Sequence, residues 1–120
     1  MSIVGFDHVQ LAVPARAEDD LRAFYGDLLG MTELPKPPAL AGRGGCWFAA
    51  GAAVVHLGVQ EPFAPARKAH PAFVVADLAT LQARLEAAGY ACERSDGEVP
   101  GVLRFHTHDV VGNRVEFQQA

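Results

Sequence analysis

Residues 54–60, with the sequence Val-Val-His-Leu-Gly-Val-Gln, decide how the rest of the chain can fold. Successive residues of a β-strand point to opposite faces of a sheet, so this stretch has two different faces. Every second residue from Val55 to Val59 is apolar, whereas His56 and Gln60 lie on the other face. The pattern predicts a strand that covers a core with one face and directs His56 away from that core.

Other segments of the chain alternate in the same way between an apolar and a polar face. They lie at residues 6–13, 103–108 and 114–118, and a less regular one lies at 70–75, where Val74 shares a face with His70. Each is expected to be a strand with one side on a core. Their polar faces carry His8, Gln10, Arg104, His106, His108, Arg114 and Glu116.

The order strand, helix, short strand, loop and hairpin occurs twice. One helical pattern ends at Gly30, and a second, capped by Asp77, ends at Gly89. Equivalent positions lie about 60 residues apart, as in an internal repeat. The predicted fold class is α+β, with two βαβββ modules forming a curved mixed sheet around a polar cavity. We expect one domain over residues 1–120, with repeat 1 at 1–60 and repeat 2 at 69–120 joined by a linker at 61–68.

The composition and charge of the chain argue against some classes of partner and location. The chain has 120 residues and a formal charge of −4, from 10 basic and 14 acidic residues, which argues against nucleic acid or an anionic membrane as partner. It has no long apolar run and no start resembling a signal peptide, so we expect a cytoplasmic protein. Cys46 and Cys92 are far apart without zinc-type spacing, and they are interpreted as reduced, buried thiols.

A loop and a hairpin precede the strand that carries His56. Residues 35–45 are rich in proline and glycine, and they are either a lid or an ordinary surface connection. A two-residue turn at Gly51 would pair Trp47 with His56 and place the indole on the polar side. A slip of one residue in the register would reverse that placement.

Four polar-face positions are symmetric between the repeats. His8 and His70 belong to the first strands of the two repeats, and His56 and Glu116 belong to the last strands. Imidazole and carboxylate ligands together suit a divalent transition metal, here Zn, Ni, Mn, Co or Fe. Four ligands leave a coordination position open for water or substrate. His8, His70 and Glu116 without His56 would instead match the pattern of non-haem iron oxygenases.

Further polar-face residues are candidates for binding a small-molecule substrate. A guanidinium such as that of Arg104 can bind a carboxylate with two hydrogen bonds. The alternatives are surface ion pairing for Arg104 and simple solvation for His106. The predicted substrate-binding residues are Trp47, Arg104, His106 and Gln10.

Several motifs resemble the vicinal oxygen chelate superfamily, which includes glyoxalase I, bleomycin-resistance proteins and extradiol dioxygenases. They are FDHV at residues 6–9, FYGDLLGM at 24–31, HPAF at 70–73 and HDVVGNRVEF at 108–117. The resemblance spans nearly the whole chain and implies a glyoxalase-like fold. One fold hosts many reactions, so the resemblance alone does not decide the activity.

The resemblance also implies roles for single residues. The ligands of the family fall on His8, His70 and Glu116, and Glu116 would also act as the catalytic base. His56 departs from the glyoxalase I pattern, which has a carboxylate there. Small members of the family are typically homodimers with shared sites, so we expect a homodimer. We expect a metal-dependent glyoxalase-type enzyme, and the alternatives are a bleomycin-resistance-type binding protein without turnover and an iron dioxygenase.

Overall fold

The computed structural model describes residues 2–120 and divides into two units, one ending at Ala64 and the other formed by Pro65–Ala120. The boundary falls inside the segment predicted as a linker, residues 61–68. The assignment of both units to a single domain stays a prediction.

The first unit contains a four-stranded mixed sheet in the order β1-β4-β3-β2. Strands β1 and β4 are parallel, and the other neighbours are antiparallel. The first helix begins with α-helical hydrogen bonds and continues with π-helical ones. The elements are β1 (Val9–Val13), α1 (Glu18–Leu21, continued by the π-helical Arg22–Leu28), β2 (Thr32–Leu34), α2 (Pro38–Ala41), β3 (Cys46–Ala50) and β4 (Ala53–Val59).

The second unit repeats this architecture with the strand order β5-β8-β7-β6. Strands β5 and β8 are parallel, and the neighbours β8, β7 and β6 are antiparallel. The two sheets with their few helices confirm the α+β class. The elements are β5 (Ala72–Val75), α3 (Leu78–Ala87), β6 (Glu93–Arg94), β7 (Arg104–His108) and β8 (Arg114–Gln119).

The core of the first unit lies on the face that the alternation predicts. Leu57 on β4 is buried, and Phe48 on β3 packs its ring against Tyr25 of the helix, with the ring centroids 5.8 Å apart. The register of the hairpin pairs Trp47 with His56 and Phe48 with Val55, as predicted from the two-residue turn. A slip of one residue would have exchanged the two aromatic rings between the faces.

The core of the second unit is built from β7, β8 and α3. Phe105 and Phe117 are buried and pack together, with their ring centroids 5.4 Å apart. Helix α3 turns Leu78, Leu81 and Leu85 inward. The Asp77 side chain accepts a hydrogen bond from the backbone N–H of Thr80, so the predicted helix cap is confirmed.

Three local predictions need correction. The first strands begin at Val9 and Ala72, so His8 and His70 precede the strands. The parallel pairing with β4 starts only at Val9, and that with β8 starts at Ala72. Residues 35–45 contain the short helix α2, which starts at Pro38, a position where proline is well tolerated.

The remaining sequence-level expectations concern thiols and membranes. Cys46 is buried and Cys92 is half-buried, and both are free thiols. Burial raises the pKa of the Cys46 thiol to about 11, so it stays protonated at neutral pH. Within residues 2–120, every helix is too short or too polar to cross a bilayer. The cytoplasmic location stays a prediction.

Candidate functional site

Glu116 on β8 is the buried charge at the centre of the candidate site, with 3% of the residue exposed. Its Oε1 lies 2.9 Å from Nε2 of His70 and 2.9 Å from Nε2 of His106. Antiparallel pairing of β7 with β8 places His106 directly opposite Glu116. His70 lies in the chain just before β5. The carbonyl of the next residue, Pro71, accepts a hydrogen bond from the N–H of Glu116. Strand pairing thus brings together three side chains that are distant in sequence.

The other carboxylate oxygen of Glu116 is held by two neighbours. The Gln118 side-chain amide donates to Oε2 at 2.7 Å, and Nη1 of Arg104 lies 3.4 Å from the same atom. Burial by itself would raise the pKa of Glu116. The hydrogen bonds from Gln118 and His70 and the electrostatic interactions with His106 and Arg104 outweigh burial and lower the pKa to about 2. Glu116 is therefore ionised at neutral pH.

His70 is oriented by the backbone. Its Nδ1 lies 2.7 Å from the Lys68 carbonyl oxygen, which can only accept, so Nδ1 donates its proton there. Nε2 faces Oε1 of Glu116 at 2.9 Å, where it either donates a proton to the carboxylate or shares a cation with it. Metal-binding histidines commonly donate their second ring N–H to a carbonyl in this manner.

These contacts make a donor set that fits a metal ion. One ligand atom each from His70, His106 and Glu116 lies within 4.8 Å of the others. The pKa of His106 is lowered, first by burial and then by the positive charge of Arg114, which favours the uncharged imidazole that a metal ion binds. Two imidazoles and one carboxylate are ligands that divalent transition metals accept. The chemistry of the donor set therefore suits the metal that the sequence predicted.

His8 and His56 come together in the first unit. Their rings stack with the centroids 3.8 Å apart. The indole of Trp47 also stacks on the His56 ring, with the centroids 3.7 Å apart. Asp7 Oδ2 lies 2.8 Å from Nδ1 of His8. Burial and then the neighbouring His8 lower the pKa of His56, which keeps that ring neutral. Both imidazoles are thus ordered by neighbours on the polar side of the sheet.

The predicted substrate-binding residues have different surroundings. Gln10 and Trp47 line a pocket of about 220 Å³ in the first unit. Arg104 is held by Glu116, by Glu98 at 3.1 Å and by the Ser95 hydroxyl at 3.1 Å, so its guanidinium is already engaged. The four substrate-binding assignments stay predictions.

The structure thus assembles the predicted ligands in two groups. His70 and Glu116 meet each other, and His8 and His56 meet each other; a single site formed by all four stays a prediction. His106 joins the first group as a third side chain that could ligate a metal ion, whereas the sequence suggested a substrate contact. The register of the hairpin before Glu116 was the signal that could have identified it, because opposite residues of a hairpin share a face.

Residues 5–117 match the family model of the Glyoxalase/Bleomycin resistance protein/Dioxygenase superfamily. None of the curated proteins matches the chain at a significant level.

Solved structures share the fold. A glyoxalase family protein from Bacillus anthracis is 44% identical, with 99% of this chain and 97% of that chain covered and a TM-score of 0.94. The fosfomycin resistance protein FosX from Listeria monocytogenes is 14% identical (98% and 94% covered, TM-score 0.77). Lactoylglutathione lyase from Agrobacterium tumefaciens is 21% identical (100% and 95% covered, TM-score 0.68). The last two show a similarity of fold alone.

Proposed function

This chain belongs to the Glyoxalase/Bleomycin resistance protein/Dioxygenase superfamily, and on that premise we propose that it is a metal-dependent enzyme of the glyoxalase type. Its substrate would be a small molecule with vicinal oxygens. The observation that supports this proposal most directly is the donor set of His70, His106 and Glu116, whose ligand atoms lie within 4.8 Å of one another. The identity of the metal and the reaction type are left to experiment.

The proposed metal is held by His70 and Glu116, with His106 as a further ligand. When bound, a divalent metal acts as a Lewis acid on oxygens of the substrate. The Lys68 carbonyl fixes the ring of His70, and Gln118 holds the Glu116 carboxylate from the opposite side. His8 and His56 stay proposed as additional ligands, from the same chain or from a second copy.

Glu116 is also the proposed catalytic base. With a pKa of about 2 it is ionised but accepts a proton poorly at neutral pH. Its hydrogen bonds from Gln118 and His70 stabilise the charged form, so the basicity of Glu116 rises only when these bonds are broken. A proton transfer to Glu116 therefore requires that the carboxylate first turn away from these partners.

Metal analysis of protein purified without chelator tests the proposal. We expect a metal content close to one ion per chain and a higher melting temperature on addition of Ni²⁺, Zn²⁺, Mn²⁺, Co²⁺ or Fe²⁺, because ligands that bind only the folded state stabilise it. His70→Ala and Glu116→Ala should abolish both effects and leave the chain folded. His106→Ala should weaken the affinity for metal about tenfold or more.

The matched control is His108→Ala, which removes an exposed imidazole from the same strand, two residues beyond His106. It should keep the metal content of the wild type. Unchanged metal content in both the His70 and the Glu116 variants would refute the proposed metal site.

A second candidate is a binding protein without turnover, of the bleomycin-resistance type. It is favoured by the contacts of Glu116, whose two oxygens already have partners in His70, His106, Gln118 and Arg104. A carboxylate held in this way is also stable as part of a structural ion-pair network. Absence of bound metal, together with no thermal stabilisation by any of the five cations, would support this candidate.

The donor set is also compatible with the dioxygenase alternative. Two histidines and one carboxylate are the ligand pattern of non-haem iron oxygenases. Oxygen consumption with a catechol under reducing conditions, seen only with Fe²⁺, would assign the chain to that chemistry. Its absence in Fe²⁺-loaded protein would leave the glyoxalase-type reaction as the proposal.

A further inference from the structure

A pocket of about 220 Å³ lies in the first unit, beside the stacked rings of Trp47 and His56. Pockets for drug-sized ligands measure about 300–1,000 Å³, so this one suits a small molecule or one end of a larger one. The residues that matter for its chemistry are Gln10, Lys36, Leu40, Arg43, Trp47 and Gly58.

The loop 35–45 is fastened over this pocket. Gly44 and Gly45 both have positive φ angles, of 76° and 75°, which fold the loop back onto β4. The Glu18 carboxylate accepts the N–H of Gly45 at 3.0 Å, and the Lys36 ammonium donates to the Gly44 carbonyl. These contacts hold Lys36 and the loop backbone beside the pocket, and the cationic side chains of Lys36 and Arg43 both belong to its lining.

The charge in the pocket has one sign. The chain as a whole is acidic, with a formal charge of −4, yet no carboxylate lines the pocket within residues 2–120. Arg43 has no ion-pair partner in the described part of the chain. Lys36 donates one of its three N–H groups to Gly44, so two donors remain for a ligand. A pocket with two cations and no anion attracts a negatively charged group.

The rest of the lining is flat and amphipathic. Trp47 uses one face for His56 and still lines the pocket, with Leu40 as an apolar neighbour. The Gln10 amide lies over Gly58, where a Cβ atom would come within 2.6 Å of the Gln10 Nε2. Because Gly58 has no side chain, the Gln10 amide has space to reach the pocket.

We propose that this pocket binds a small organic carboxylate with a flat apolar body, through Lys36, Arg43 and the Gln10 amide. The inference goes beyond the proposed function and does not depend on the metal site, because every lining residue of the pocket belongs to the first unit. Lys36 and Arg43 are then specificity-determining residues, since they would reject an uncharged analogue of the same shape. Trp47 and Leu40 contact the apolar body of the ligand.

The fluorescence of Trp47 reports on this pocket directly, because it is the single tryptophan of the chain. The probe is benzoate, and benzamide is its uncharged analogue of similar shape. Benzoate should change the Trp47 emission in a saturable way and bind at least about tenfold more tightly than benzamide. The titration uses the full chain as purified and is repeated after chelation of metal.

Two variants and a matched control locate the binding. Arg43→Gln and Lys36→Gln should each weaken benzoate binding about tenfold without a comparable change for benzamide. Arg16→Gln removes the same charge from an exposed arginine of the same unit that does not line the pocket, and it should bind benzoate like the wild type.

The inference is overturned if benzoate and benzamide bind equally, if neither changes the emission, or if the Arg43 and Lys36 variants behave like the Arg16 control. Failure of the metal proposal has a different signature. In that case benzoate binds as expected and binds more weakly to the Arg43 variant, whereas the purified chain holds no metal. Metal binding without benzoate binding would instead overturn this inference alone.

Discussion

At the scale of single residues, Glu116 shows how neighbours decide the state of a buried carboxyl group. Burial disfavours the charged form, and a buried carboxyl group without partners would hold its proton at higher pH. Here Gln118, His70, His106 and Arg104 supply hydrogen bonds and positive charge, and the pKa falls to about 2. The folded state therefore binds a proton at Glu116 more weakly than the unfolded chain does.

Because the pKa of Glu116 differs between the folded and the unfolded chain, the stability of the metal-free protein should depend on pH. Because the folded pKa lies below the ordinary value of 4.5, the stabilisation from Glu116 is complete above about pH 5 and is lost as the pH falls toward 2. It amounts to about 3 kcal/mol of the free energy of unfolding between pH 6 and pH 2. Urea denaturation across this range, with chelator present, measures it.

Glu116→Gln serves as the comparison, because an amide of similar shape does not titrate. Its free energy of unfolding should fall less steeply with acidification than that of the wild type. Parallel pH profiles for the two proteins would contradict the assignment of a strongly lowered pKa to Glu116.

At the scale of elements, Gly45 and Gly51 separate two effects of adding a side chain, which are strain in the backbone conformation and steric clash with neighbouring atoms. Both have positive φ angles, of 75° and 57°. A Cβ atom on Gly51 would meet nothing within 4 Å, whereas a Cβ atom on Gly45 would lie 1.9 Å from the carbonyl oxygen of Leu57. Gly45 thus lets the loop 35–45 approach the backbone of β4.

The pair gives a controlled prediction for the stability of the first unit. Gly51→Ala should cost about 1 to 2 kcal/mol, the usual cost of a left-handed conformation for a residue with a Cβ atom. Gly45→Ala should cost more than about 4 kcal/mol, because the backbone of the loop or of β4 must also move. Thermal or urea unfolding of both variants measures the difference, and equal losses would show that the loop is not held against β4.

At the scale of the whole molecule, the amino-terminal segment exposes several large apolar side chains next to one another, which is unusual on the surface of a monomeric protein. Ile3, Val4 and Phe6 are 85%, 97% and 94% exposed, and residues 2–8 belong to no helix or strand. Large exposed apolar groups that lie close together commonly mark a surface for another protein. They support the predicted homodimer, with this segment as part of its contact.

Sedimentation or light scattering tests the oligomeric state. The wild type should be a dimer at micromolar concentration, and Phe6→Glu should shift it toward monomer, since the new charge would have to be buried in the contact. Val99→Glu, which adds the same charge at an exposed apolar residue of the second unit, is the control and should stay dimeric. A monomeric wild type would contradict the predicted homodimer.

Much of this molecule follows from patterns within a few residues. The period of two in residues 54–60 and its counterparts determined the strands and their buried faces, and the repetition of the pattern determined two similar modules. The Asp77 cap and the stop at Gly89 also follow from local chemistry. The same alternation selected His8, His56, His70 and Glu116 as candidates, because it shows which side chains turn away from a core.

The tertiary structure alone decided which of these side chains meet. His106 stands opposite Glu116 because β7 pairs with β8 in one register, and His70 reaches the same oxygen because β5 lies on the other side of β8. The π-helical continuation of α1, the helix at Pro38 and the pocket beneath the loop have no periodic signature. Periodicity along the chain reports which way a side chain faces, whereas distances between strands depend on pairing and loop closure, which are set only when the whole unit folds.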